Sequence, residues 1–207
     1  MSTLTVGTIA EKVTDAGVSV DGVTLKDGGA TFTSAVTATD NTVDLGASST
    51  RFKDIYLSGG AFLGGTGSAN KLEDYEEGTF NLEVADADSG GNSNAISGAQ
   101  SYTKIGRTVI CHLHLSNINT SGMTGGNSLS IRGFPFSHSD TSSISAVLVN
   151  ETNLGGNAQP IVAQLNSAGV LKLTHLLDND ANNKLNVNEF ETGTADIQTT
   201  LVYRTTS

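Results

Sequence analysis

The first 67 residues carry their apolar side chains in small alternating pairs: Val18 and Val20, Val23 and Leu25, Ala30 and Phe32, Val43 and Leu45, Ile55 and Leu57. A spacing of two places both members of a pair on one face of an extended strand. Gly17, Asp21-Gly22, Asp27-Gly28 and Gly59-Gly60 fall between the pairs as turn signals. Two small side chains per strand make a thin face. At about 25 cal/mol per Å² of apolar burial, such a face does not offset the entropy lost in ordering its own backbone. The segment is therefore expected to fold only when identical faces from other copies close over it, since symmetry turns a thin stripe into a closed core. The rival reading is a flexible linker.

The texture changes after the segment Asn70-Lys-Leu-Glu-Asp-Tyr-Glu-Glu77. With Asn70 as candidate N-cap, Gly78 as stop and Leu72 and Tyr75 on one face, this stretch predicts a short helix. Beyond it, strand patterns recur at Thr79–Val84, Tyr102–Leu115, Leu129–Arg132, Ile144–Val149, Ile161–Leu165, Val170–Leu176 and Gln198–Arg204. In the longest run, Val109, Cys111, Leu113 and Leu115 share one face, and Ile110, His112 and His114 share the other. Several strands separated by Gly/Asn/Ser turns predict an antiparallel β-sandwich or jelly roll. The expected fold class is all-β: a slender, intertwined trimeric stem over 1–69, a helical hinge over 70–78 and a sandwich domain over 79–207.

Composition closes several routes. The net charge is −10, from 21 acidic and 11 basic residues, and no basic stripe is present to displace counterions from nucleic acid. A single cysteine excludes an internal disulfide and a cysteine-based zinc site. No signal peptide begins the chain and no apolar run is long enough for a membrane helix, so a soluble protein made in a reducing cytoplasm is expected. Neither a P-loop, a dinucleotide fingerprint nor a nucleophile elbow occurs. Cys111, flanked by apolar residues on a strand, reads as an inert packing thiol.

Two constellations are candidates for a structural metal ion. His112 and His114 point to the same face of a strand, and three copies around an axis would offer six imidazole nitrogens. The plainer reading is a pair of surface histidines. Asp178, Asp180, Asn182, Lys184, Asn186 and Glu189 fall at positions 1, 3, 5, 7, 9 and 12 of a calcium loop, with Asn183 where glycine is usual. The plainer reading there is a polar hairpin tip. The acidic run Glu73, Asp74, Glu76 and Glu77 reads as a solvated face rather than a glycosidase pair, which needs two separated carboxylates.

Four stretches carry a resemblance. Asp44-Leu-Gly-Ala-Ser-Ser-Thr-Arg-Phe-Lys-Asp-Ile-Tyr-Leu-Ser-Gly59, Leu72-Glu-Asp-Tyr-Glu-Glu-Gly-Thr-Phe80, Tyr102-Thr-Lys-Ile-Gly-Arg107 and Gly133-Phe-Pro-Phe136 are similar to segments that recur in tail-fibre proteins of bacteriophages, marine and cyanobacterial ones in particular. The resemblance implies a virion protein, homotrimeric, with a β stem, a globular β tip and no enzymatic role. Its implied partners are other tail or capsid proteins and a host-surface glycan or protein receptor. Polar loops at strand ends then become candidate receptor contacts, through Ser89, Asn92, Asn94, Thr124, Asn127 and Asn157. A capsid-decorating cement or head-fibre protein, and a polysaccharide depolymerase, are the alternative readings.

Overall fold

The computed structural model describes residues 35–38, 42–140, 142–152, 160–176 and 184–206. The chain divides into two units, residues 1–55 and 56–207. Strands in chain order are β1 (Ala61–Phe62), β2 (Lys71–Leu72), β3 (Tyr75–Phe80), β4 (Glu83–Ala85), β5 (Ser93–Ala95), β6 (Gln100–Ile105), β7 (Thr108–Leu115), β8 (Ser130–Arg132), β9 (Ser142–Ala146), β10 (Leu148–Asn150), β11 (Ile161–Asn166), β12 (Leu171–His175) and β13 (Asp196–Arg204). Among the described residues, helix is limited to two single 3-10 turns, Ser68–Asn70 and Val187–Glu189. The protein is all-β, and every pairing recorded between its strands is antiparallel.

The long alternating run breaks once, where Gly106 takes φ +56° in a two-residue loop that turns β6 back as β7. β7 then pairs along its whole length with β13, setting Val109 opposite Tyr203, Cys111 opposite Leu201 and Leu115 opposite Ile197. All six side chains are buried. These strands centre a five-stranded sheet of order β10-β13-β7-β6-β3. A six-stranded sheet, β5-β4-β8-β12-β11-β9, contributes Val84, Ile131, Ala163, Leu165, Leu171 and Leu173 to the same hydrophobic core. The two sheets share one core in a sandwich-like arrangement, and each fully buried Leu or Ile stabilises it by about 1.5–3 kcal/mol. At one margin the chain crosses between sheets at Val147, which separates β9 from β10. There Ser145 Oγ donates to Thr200 O at 2.6 Å and Thr199 Oγ1 to Ala146 O at 2.6 Å.

The helix expected at Asn70–Glu77 is not formed. Lys71–Leu72 and Tyr75–Phe80 are strands, and β3 pairs with β6 from Tyr75–Ile105 to Phe80–Gln100. A helix here would bury only two apolar side chains and place Glu73 and Glu77 four apart in repulsion. The strand gives each acid a partner instead: Lys71 to Glu73, Lys104 to Asp74, the Tyr102 hydroxyl to Glu76 and the Tyr75 hydroxyl to Glu77. Gly78 lies under the Tyr102 ring, where a Cβ would stand 2.6 Å from the hydroxyl oxygen. Glu73, Glu76 and Glu77 stay exposed and Asp74 is half-buried, so the acidic run is a solvated face with a partner at each acid.

Val18–Phe32, where the first apolar pairs lie, falls outside the described residues. Farther along, Val43–Leu45 and Ile55–Leu57 hold no strand pairing in the single chain; reciprocal hydrogen bonds between Ala47 and Thr50 make one tight turn. A strand needs a neighbour for its N–H and C=O groups, and among the described residues none pairs with these.

Candidate functional site

The candidate receptor loops are organised by one buried carboxylate. Asp86, at the end of β4, accepts Asn92 N–H at 2.8 Å on Oδ1, and Asn92 Nδ2 at 3.0 Å and Thr124 N–H at 2.8 Å on Oδ2. It thus ties the 86–92 loop to the 118–128 segment, two regions that the sequence separates by some thirty residues. The Thr124 and Asn92 hydrogen bonds favour the carboxylate and hold its pKa down at about 2, against a desolvation that acts the other way. Asn94 adds a second tie, its Nδ2 donating to Asn119 O at 2.9 Å and Ser121 O at 3.1 Å.

Of the predicted contact residues, Asn92 and Asn94 spend their amide donors inside the protein. Thr124 and Asn127 shape a turn, with Asn127 N–H donating to Thr124 O at 3.0 Å and Asn127 O accepting Val187 N–H at 2.9 Å. Ser89 is exposed, and Asn157 lies outside the described residues. Hydrogen bonds tie Asn92 and Thr124 through Asp86, Asn94 to the 119–121 backbone and Asn127 to Thr124.

His112 and His114 sit, as their spacing predicts, on the exposed face of β7. His112 Nδ1 is 3.3 Å from Thr200 Oγ1, and His114 stands opposite Gln198. Among the described residues no three His, Cys, Asp or Glu side chains are grouped to hold a metal ion. In the calcium-loop candidate, Asp178, Asp180 and Asn182 lie outside the described residues. Glu189 closes a capping box on the 187–189 turn, accepting Asn186 N–H at 2.5 Å, and its other oxygen is 4.0 Å from Nε2 of buried His175. Lys184 bridges to Thr174 and Leu185 is buried in the core, so residues 184–190 are tied to the sandwich. Burial raises the Cys111 thiol to about 12, as expected of a packing cysteine.

A second concavity went unmarked in the sequence. Asp88, residues 132–137 and residues 167–170 line a cleft of about 340 Å³. Gly133-Phe-Pro-Phe136 is visible in the sequence only as a motif, and its juxtaposition with a turn more than thirty residues away has no local signal. No protein-family model matches the chain, and no match to it is found among curated proteins.

Proposed function

We propose that this protein is a structural adhesion protein, a homotrimeric bacteriophage tail fibre in which residues 1–69 form an intertwined β stem and residues 79–207 form a jelly-roll-like tip that meets the host surface. The observation that carries the reading is the unburied apolar side chains between Val43 and Leu63. Phe52 is 60 % exposed, Ile55 62 %, Tyr56 92 % and Leu57 60 %. Large apolar groups left open in succession mark a surface that another molecule covers. In a symmetric fibre the cover is the same segment of two further copies.

Adhesion then works by multiplicity. Contacts of about millimolar strength at each tip combine, because linked sites gain roughly 10²- to 10⁴-fold in avidity. Other tail or capsid proteins hold the stem in the virion, and the reading requires no catalysis. Two measurements test it. Sedimentation of the full chain is expected to give three times the 21.3 kDa monomer mass, and a compact monomer overturns the stem. Labelling of intact particles is expected to mark the tail. Label spread over the capsid would replace the fibre with a cement or head-fibre protein, and new reducing ends from host polysaccharide would replace it with a depolymerase.

A further inference from the structure

We propose that the cleft between residues 132–137 and the turn at 166–170 binds a neutral hexopyranose unit. The proposal rests on the adhesion reading for the source of the sugar, a host-surface polysaccharide, and on the cleft alone for its chemistry. Its volume of about 340 Å³ falls in the lower range of small-molecule sites.

One wall is apolar. Phe134, Pro135 and Phe136 are half-buried along it. The rings are fixed from behind: Phe134 lies 5.9 Å from Phe80 and edge-on to Tyr203 at 6.4 Å, and Phe136 is edge-on to Tyr102 at 5.1 Å. Lys104 Nζ stands over the Phe136 ring, 5.5 Å from its centroid, so Phe134 and Pro135 are the apolar groups offered to the C–H face of a pyranose.

The polar groups are of the matching kind. Asp88 Oδ1 takes both of the carboxylate's hydrogen bonds, from Ser130 Oγ at 2.9 Å and Lys172 Nζ at 2.6 Å. Its Oδ2 accepts none, and the side chain is 51 % exposed at the cleft. The exposed Ser137 and Ser167 hydroxyls line the same space and hold no hydrogen bond among the described residues. A free carboxylate oxygen and two hydroxyls accept and return the hydrogen bonds of neighbouring sugar hydroxyls.

Charge selects against acidic sugars. The Arg132 guanidinium is committed to Glu83 Oε1 at 2.7 Å, Gly90 O at 3.0 Å and Ala87 O at 3.4 Å, and its Nε is buried. Lys172 is committed to Asp88. Among the described residues Arg132 is the cation of the lining and Lys184 acts on Asp88 from outside it, so a carboxylate in the cleft would meet the open oxygen of Asp88.

The walls are built in advance of the ligand. Asn166 Oδ1 accepts Ala168 N–H and Val170 N–H, each at 3.0 Å, and Gly169 closes the turn with φ +74°. Gly133 has φ +107°, and a Cβ there would stand 2.5 Å from Asn81 O. Rigid walls lower the entropy lost on binding, which matters for a ligand this small.

Saturation-transfer NMR on the full chain, with methyl glycosides of glucose, galactose, mannose and N-acetylglucosamine and with methyl glucuronide as the charged probe, tests the site. At least one neutral glycoside is expected to take up saturation, most strongly at C–H protons of one ring face. Ala168→Trp, on the exposed turn at the mouth, is expected to abolish it. Asp88→Asn is expected to weaken it about tenfold, the effect of losing one charged hydrogen bond. Gln198→Ala, on the far face of the other sheet, should leave it unchanged. Silence from every neutral glycoside, undiminished binding by Ala168→Trp, or a glucuronide that binds as well as the neutral sugars overturns the proposal. Because Asp88→Asn also loosens Lys172, the decision rests on Ala168→Trp, whose fold is checked by circular dichroism. A cell-binding tail protein that ignores the hexosides sinks the cleft and spares the adhesion reading. Hexoside binding by a protein absent from the tail does the reverse.

Discussion

Residues 43–57 and strand β7 are written in the same alternating pattern, yet only one of them has its apolar face covered within the chain. In β7, Val109, Cys111, Leu113 and Leu115 lie against a core that also receives Ile197, Leu201 and Tyr203 from β13 and residues from the second sheet. Leu45, Ile55 and Leu57 meet no such core and are mostly exposed. The number of apolar groups per strand differs by about a factor of two, and hydrophobic stabilisation scales with the area removed from water. Alternation tells which face is apolar. It leaves open who covers that face, a later part of the same chain or another copy.

The largest effect should come from charging the uncovered face. Ile55→Asp combined with Leu57→Asp is expected to reduce the mass in light scattering from three chains to one, because three copies would bring six carboxylates together in a closed apolar core. The comparison breaks if the double variant remains a trimer. It sharpens if the monomer so produced keeps Cys111 protected, since buried Cys111 reacts with an alkylating reagent only when the sandwich opens.

The converse experiment is Leu201→Ala. Leu201 is fully buried opposite Cys111. Its truncation is expected to cost about 2–5 kcal/mol, read as lower denaturant tolerance and faster Cys111 alkylation, with the oligomeric mass unchanged. Loss of the trimer in this variant would mean that the two regions do not hold their partners independently.

A smaller change is expected from Gly133→Ala. The positive φ and the approach of a Cβ to Asn81 O predict about 1–3 kcal/mol of destabilisation by thermal melting. An unchanged melting temperature would show that the 132–137 segment yields easily, which would also weaken the argument for a rigid cleft.

What the sequence revealed follows from the range of the forces involved. The inward face of β7 was legible because period-two alternation acts within a few residues, whereas the Gly106 turn was hidden inside Tyr102–Leu115, which reads as one run. Residues 70–77 were misread as a helix because the support of strand β3 is not local: Lys104 and Tyr102 donate to Asp74 and Glu76 from thirty and twenty-six residues away. Asn94 was placed in a loop but lies in strand β5, and the amides of Asn92 and Asn94 serve Asp86 and the 119–121 backbone, partners that nothing nearby in sequence marks. Asp88, next to Ser89, passed unnoticed, since nothing nearby in sequence shows that Ser130 and Lys172 both bind one of its oxygens and leave the other open.

The smallest expected effect concerns Asp86 and is confined to acid. Its folded pKa is about 2, below the ordinary 3.8, because three donors satisfy the ionised form. A depressed carboxyl binds its proton less readily in the folded state than in the unfolded one. Its contribution to stability is therefore complete above pH 3.8 and lost as the pH falls towards about 2. In that window the 86–94 and 118–128 loops should come apart before the strands do, seen as rising hydrogen exchange at Asn92 and Thr124 while Val109 and Leu201 stay protected. Asp86→Asn replaces one acceptor with a donor that faces existing donors, so it should loosen the same amides already at neutral pH and flatten their response between pH 3.8 and 2. If wild type and variant respond alike across that interval, the tie between the loops resides elsewhere, with the Asn94 amide and its two carbonyls as the remaining link.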